Sequence, residues 1–166
     1  MEKNYKNMYD KRGFTLVELL AVIVVLAVVM LIAINSILPQ IDKARKNAFG
    51  IEALSFADAA EQYVLENQLT NSDFVIAPGA EKCIKASTLI GKGLLDMDDT
   101  KYGGYVEISR NTEGLYQYTV NLYKSNGFYI EGHDGKKEVD PSNVKEDGTA
   151  DVKTKEAACA ASQELK

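Results

Sequence analysis

From Leu19 to Ile41 the chain runs for 23 residues without one charged side chain. At ~1.5 Å per residue a helix of that length crosses a hydrocarbon core of ~30 Å. The part from Leu19 to Ile34 has no polar side chain at all. Lys11 and Arg12 stand before the run, which puts the N-terminus on the cytoplasmic side and the remainder outside. One carboxylate, Glu18, sits against the start of this apolar stretch. A carboxylate there is expensive and normally has a partner.

A secretory signal peptide is the simplest competing reading. Its apolar region is usually ~7–15 residues and is followed by small residues at a cleavage site. Here the run is longer, and Ala33-Ile34-Asn35-Ser36 offers no small-x-small site. A plain signal anchor fits the length but leaves Glu18 unexplained. Glu18 snorkelling to the headgroups is physically allowed, yet it does not account for the Gly13-Phe14 junction.

Lys11-Arg12-Gly13-Phe14-Thr15-Leu16-Val17-Glu18 followed by an apolar helix resembles the class III signal of type IV prepilins. The resemblance covers roughly the first third of the chain. It implies cleavage after Gly13 by a prepilin peptidase and N-methylation of the new first residue, Phe14. It makes Glu18 the assembly glutamate, four residues on. The implied organisation is a leader over 1–13, a membrane and fibre-core helix over 14–40, and an extracellular globular domain over 41–166. A free Phe14 amine is cationic at neutral pH and lies one helical turn from Glu18. Glu18 could pair with it within a subunit or with that of an adjoining helix, and the resemblance favours the second. Many pilins carry a proline near the position of Asn35; this chain has Pro39, which moves an expected kink or local melting toward the end of the apolar part.

The helical pattern continues past the apolar run. Phe49, Ala53, Phe56, Ala60 and Tyr63 recur in steps of three and four, with charged residues between them. One helix from Phe14 to about Asn67 is expected, apolar all round in its first half and amphipathic in its second. Asn67, Thr70, Asn71, Ser72 and Asp73 read as its stop. Residues 68–101 read as a connector with a short helix at Ala86-Ser87-Thr88-Leu89-Ile90, ended by Gly91 and Gly93. Three short strands are expected at Tyr105–Ile108, Leu115–Val120 and Phe128–Ile130, joined by hairpin-like loops. The fold class is therefore α+β: a long N-terminal helix packed on a small antiparallel sheet. After His133 the chain becomes polar and reads as solvated loop, with Glu156–Ala161 of good helix propensity.

Little else in the sequence points to chemistry. Gly91-Lys92-Gly93 lacks a phosphate-loop pattern. His133 is the sole histidine and reads as a surface residue at a strand end. Asp134, Asp140, Asp147 and Asp151 have no EF-hand spacing, so solvated loop is the better reading than calcium. Cys83 and Cys159, with His133, fall short of a four-ligand zinc site. The two cysteines, 76 apart in the part expected outside, are either a disulfide or two buried thiols. Pilins of the resembled family usually carry both cysteines late, and Cys83 is early. No nucleophile–base pair or metal constellation is legible, so neither catalysis nor a cofactor is expected. Residues 1–13 carry +2, so their loss would take the net charge from −5 to −7 and disfavour nonspecific nucleic-acid binding.

These readings converge on a structural subunit of a type IV pilus, a surface filament for adhesion or motility. The expected partners are copies of itself in a helical homopolymer, the prepilin peptidase, the inner-membrane assembly machinery and the membrane before assembly, with host surfaces or other cells as targets. The expected location is a single-pass membrane precursor, then an extracellular pilus. A type II secretion-like pseudopilin shares every N-terminal feature and is separated by the absence of a long filament. A signal-anchored surface protein that never polymerises would keep its N-terminus uncut.

Overall fold

A computed structural model of the chain describes residues 14–70, 74–146, 156, 157, 159, 164 and 165. By its internal contacts the chain divides into two units, Met1–Ile41 and Asp42–Lys166.

The first long element, α1, covers Leu16–Thr70. Within the first unit its large apolar side chains are open to the surroundings: Val17 is 69% exposed and Leu31 67%. Asn35 satisfies its amide on the carbonyl of Leu31, at 3.3 Å, as a polar side chain in an apolar helix must. The helix continues through Pro39, so the local melting expected there is not seen. Proline lacks the N–H that would bond four residues back, yet the flanking turns hold their helical conformation.

Within the second unit α1 turns one stripe inward. Phe49, Ala53, Phe56, Ala60 and Tyr63 are all buried, as the spacing predicts. Gly50, Ala57, Ala59 and Val64 widen the stripe. Small residues dominate because other chain segments lie close. A Cβ on Gly50 would stand 2.8 Å from Cβ of Val139.

The stripe packs on an antiparallel sheet, of five strands among the described residues: β1 (Glu81–Lys85), β2 (Tyr102–Arg110), β3 (Tyr116–Lys124), β4 (Phe128–Asp134) and β5 (Lys145–Glu146), in that spatial order. The register aligns Ile84 with Val106 and Val106 with Val120, all buried. Phe56 lies 5.7 Å from the Tyr102 ring and Phe49 lies 6.1 Å from Phe128. Among the described residues three ion pairs tie the helix to the sheet side: Lys124 with Glu52 at 2.7 Å, Lys46 with Glu146 at 3.2 Å, and Lys136 with Glu61.

Four expectations need correction. The three strands are longer than predicted. β2 begins at Tyr102, three residues before the expected strand, and takes in Gly104, where a Cβ would stand 2.1 Å from the carbonyl oxygen of Asn121. Its φ of 107° is glycine territory. Second, the connector holds a strand, β1. Its charged ends, Glu81 and Lys85, hide it, and charge on an edge strand is a common guard against unwanted pairing. Third, the polar stretch after His133 is not wholly solvated, since Gly135, Val139 and Val144 are buried. It returns across α1, where a Cβ on Gly135 would meet that of Ala57 at 2.4 Å. Fourth, the same stretch supplies β5, which pairs with Phe128 and Tyr129.

A second helix, α2, spans Ala86–Gly91. It ends in a Schellman arrangement: Leu94 N–H donates to Leu89 O at 3.2 Å and Gly93 N–H to Ile90 O at 2.9 Å, with Gly93 at φ 76°. The turn residues Asn71, Ser72 and Asp73 lie outside the described residues, as do Ala158, Ala160 and Ala161 of the expected terminal helix.

Candidate functional site

The N-terminal residues form a small constellation. Phe14 and Thr15 precede the first helical residue, Leu16, and Phe14 is 86% exposed. Glu18 reaches back to the start of the helix. Its Oε2 accepts from the backbone N–H of Thr15 at 2.8 Å and from the Thr15 hydroxyl at 2.9 Å. In return the Glu18 N–H donates to Oγ1 of Thr15 at 3.3 Å. This is a reciprocal capping box, and it satisfies two backbone donors that α1 cannot satisfy internally. Such satisfaction matters most where water is scarce, as at the entrance to a hydrocarbon core. Leu19 N–H completes the first turn by donating to Thr15 O at 3.2 Å.

Thr15 is therefore the N-cap of α1 and the partner of Glu18, a role that the reading of Glu18 as a bare charge passed over. The spacing Thr15-x-x-Glu18 before an apolar run is itself the signal that could have found it. Gly13 lies outside the described residues.

The other candidates belong to the second unit. Cys83 and Cys159 form a disulfide with Cα atoms 5.8 Å apart. His133 sits in β4, and its Nε2 donates to the carbonyl of Lys137 at 2.9 Å. The Asp134 carboxylate accepts from Lys136 N–H and pairs with Lys137, which holds it below the usual carboxylate range. Ser142 N–H does the same for Asp140. Both carboxylates thus serve the local turn. Asp147 and Asp151 are outside the described residues. Among the described residues no group of three or more His, Cys, Asp and Glu is arranged to hold a metal.

Residues 8–34 match the prokaryotic N-terminal methylation motif. The chain carries the N-terminal signal of a type IV pilin-like prepilin. No curated protein and no solved structure matches it. The prepilin motif implies processing by a prepilin peptidase and assembly into pilus-like polymers. It marks a structural, non-catalytic family of pilin- and pseudopilin-like surface proteins. Together with the stretch of α1 that is long and apolar enough to cross a membrane, it fits a membrane-anchored precursor. The motif ends before the second unit begins, so it bears on the N-terminal segment and not on what the sheet recognises.

Proposed function

We propose that the chain is a structural subunit of a type IV pilus, a surface filament used for adhesion or motility. The observation that carries this reading is the methylation motif laid over an apolar helix with a glutamate near its start. The precursor would span the membrane once, with residues 1–13 as a cytoplasmic leader. Cleavage after Gly13 frees the Phe14 amine for methylation. Assembly machinery then extracts the subunit, and residues 14–40 bundle in the fibre core. That step exchanges lipid contacts for helix contacts, so its driving force is packing and polar pairing rather than removal of apolar surface from water.

Glu18 is the pairing group. In the fibre its carboxylate meets the Phe14 amine of an adjacent subunit. A buried charge without a partner is costly and a paired one far less so, so the pair rejects misregistered subunits more than it adds net stability. Residues 41–166 face outward and present the surfaces that meet cells or substrates. Mass spectrometry of the N-terminus of filaments sheared from cells tests the reading. The expected result is a chain beginning at N-methylated Phe14. An intact leader in surface filaments, or no filament containing this chain, would overturn it.

A further inference from the structure

Among the described residues β1 lies at one edge of the sheet. An edge strand carries a row of unpaired N–H and C=O groups that can template another strand. Here the chain's own end occupies part of that row. Leu165 N–H donates to Cys83 O at 2.8 Å, and Glu164 forms a parallel bridge with Cys83. Leu165 also packs against the core. Among the described residues three side-chain links hold the same place. Lys85 meets the Glu164 carboxylate at 2.6 Å, and the Glu164 side chain is only 14% exposed. The Glu156 carboxylate accepts from Ser87 N–H and from its hydroxyl, each at 2.9 Å, and so caps α2, whose own N-cap residue Lys85 supplies no side-chain cap. The third link is the Cys83–Cys159 bond. Glu156, Cys159, Glu164 and Leu165 thus all address the short stretch 83–87.

The covalent link differs in kind from the others. Among the described residues one backbone hydrogen bond, a bridge and two side-chain contacts join the segment to 83–87, and the disulfide makes these contacts intramolecular at high effective concentration. Without that tether, the same residues of a second copy have equal complementarity for the edge. We propose that the β1 edge is a latent self-association surface whose occupant is a C-terminal segment of this chain: its own while Cys83–Cys159 is closed, and a second copy's, in a domain-swapped exchange, once it is open. Opening requires a dithiol, which delivers two electrons and two protons to the disulfide and becomes a disulfide itself. Two thiols result. Closure across two copies joins Cys83 of one to Cys159 of the other and returns two electrons and two protons to a small-molecule disulfide. This inference does not depend on the pilus reading, since it concerns only residues of the second unit.

The test uses the full chain in detergent micelles, once kept oxidised throughout and once reduced and then reoxidised with glutathione disulfide at low and at high protein concentration. Near-UV circular dichroism of the reduced sample establishes that the core is still folded. Non-reducing electrophoresis and peptide mapping read the links. The expected result is no covalent oligomer from the continuously oxidised chain or from dilute reoxidation. At high concentration, dimers and longer species should carry Cys83–Cys159 links between copies. Intramolecular closure at every concentration would overturn the proposal. So would Cys83–Cys83 and Cys159–Cys159 links in amounts comparable to the mixed one, because random oxidation makes all three. A second variant, Cys159→Ser, isolates the latch. Its Leu165 amide should exchange hydrogen at least tenfold faster than in the parent while the Val106 and Val120 amides stay protected. Unchanged exchange at Leu165 would show that the disulfide does not hold the edge closed.

Discussion

Replacing Glu18 by glutamine would keep the capping geometry and remove the charge, because an amide oxygen accepts from Thr15 as a carboxylate oxygen does. Replacing it by alanine removes both. If the role of Glu18 is to pair with an amine of a neighbouring subunit, Glu18→Ala should still be cut after Gly13, accumulate in the membrane and give few or no fibres. Glu18→Gln should be intermediate at best. Mass spectrometry of the membrane pool and counting of sheared filaments check this, and a normal fibre yield from processed Glu18→Ala would refute pairing. Glu107, which opposes Cys83 across β1 and β2, makes a different kind of prediction. Burial disfavours its charge and Glu81 repels it, so its pKa in the folded chain is raised above the usual glutamate range. Between the unfolded and folded values the native state binds more protons, so stability falls as pH rises through that window. Glu107→Gln should therefore raise the melting temperature at pH 7, and the gain should fade well below the reference glutamate value of ~4.3. An equal gain at both pH values would mean that shape rather than charge is responsible.

Where helix and loop meet, the segment after β4 comes close to α1. Gly135 N–H donates to Tyr118 O at 2.8 Å, and its missing side chain leaves room for Ala57. Gly135→Ala should destabilise by ~1–3 kcal/mol through overpacking. Adding Ala57→Gly should recover part of that loss even though glycine costs a helix ~1 kcal/mol, and a denaturant double-mutant cycle would read the coupling. Additive effects would show that the two residues do not share the space. Phe56, fully buried between α1 and Tyr102, should cost ~3–5 kcal/mol when cut to alanine. A loss below ~1 kcal/mol would mean that the stripe does not pack on the sheet in solution. These contacts also explain what could be read from the sequence. The helix stripe and the α2 stop were legible because period and glycine signals are local. The start of β2 was not, since Gly103 and Gly104 have no side chains to carry an alternating pattern, and only the Asn121 carbonyl beside Gly104 shows why glycine stands there. β1 and β5 become strands only through pairing with residues distant in sequence. At the N-terminus the methylation motif was legible in six residues. The Thr15 cap was present in the same six but overshadowed by the charge it holds. The cysteine pairing stayed open because it depends on a tertiary approach that a separation of 76 residues cannot reveal.

For the whole molecule, the question is how much of the chain the core requires. Among the described residues the buried cluster begins at Phe49 and includes nothing earlier in the chain. The large apolar side chains before Ile41 are exposed one by one, as expected for surface that faces lipid or other helices. A shortened chain starting at Asp42 keeps the whole cluster, the disulfide, and the pairs of Lys46 with Asp42 and Glu146. It should be soluble and monomeric and should unfold cooperatively, as light scattering and a thermal melt followed by near-UV circular dichroism would show. A chain starting at Ala53 instead loses Phe49, which is 1% exposed and faces Phe128, together with Gly50 under Val139 and Glu52 beside Lys124. Deleting a buried phenylalanine alone costs ~3–5 kcal/mol, against a total stability of ~5–15 kcal/mol for a typical domain. That shorter chain should melt far lower or fail to fold. The two results together bracket the boundary between Asp42 and Ala53. Aggregation of the longer chain would move the boundary into the apolar segment, and normal melting of the shorter one would show that the first turns of the buried stripe contribute nothing to the core.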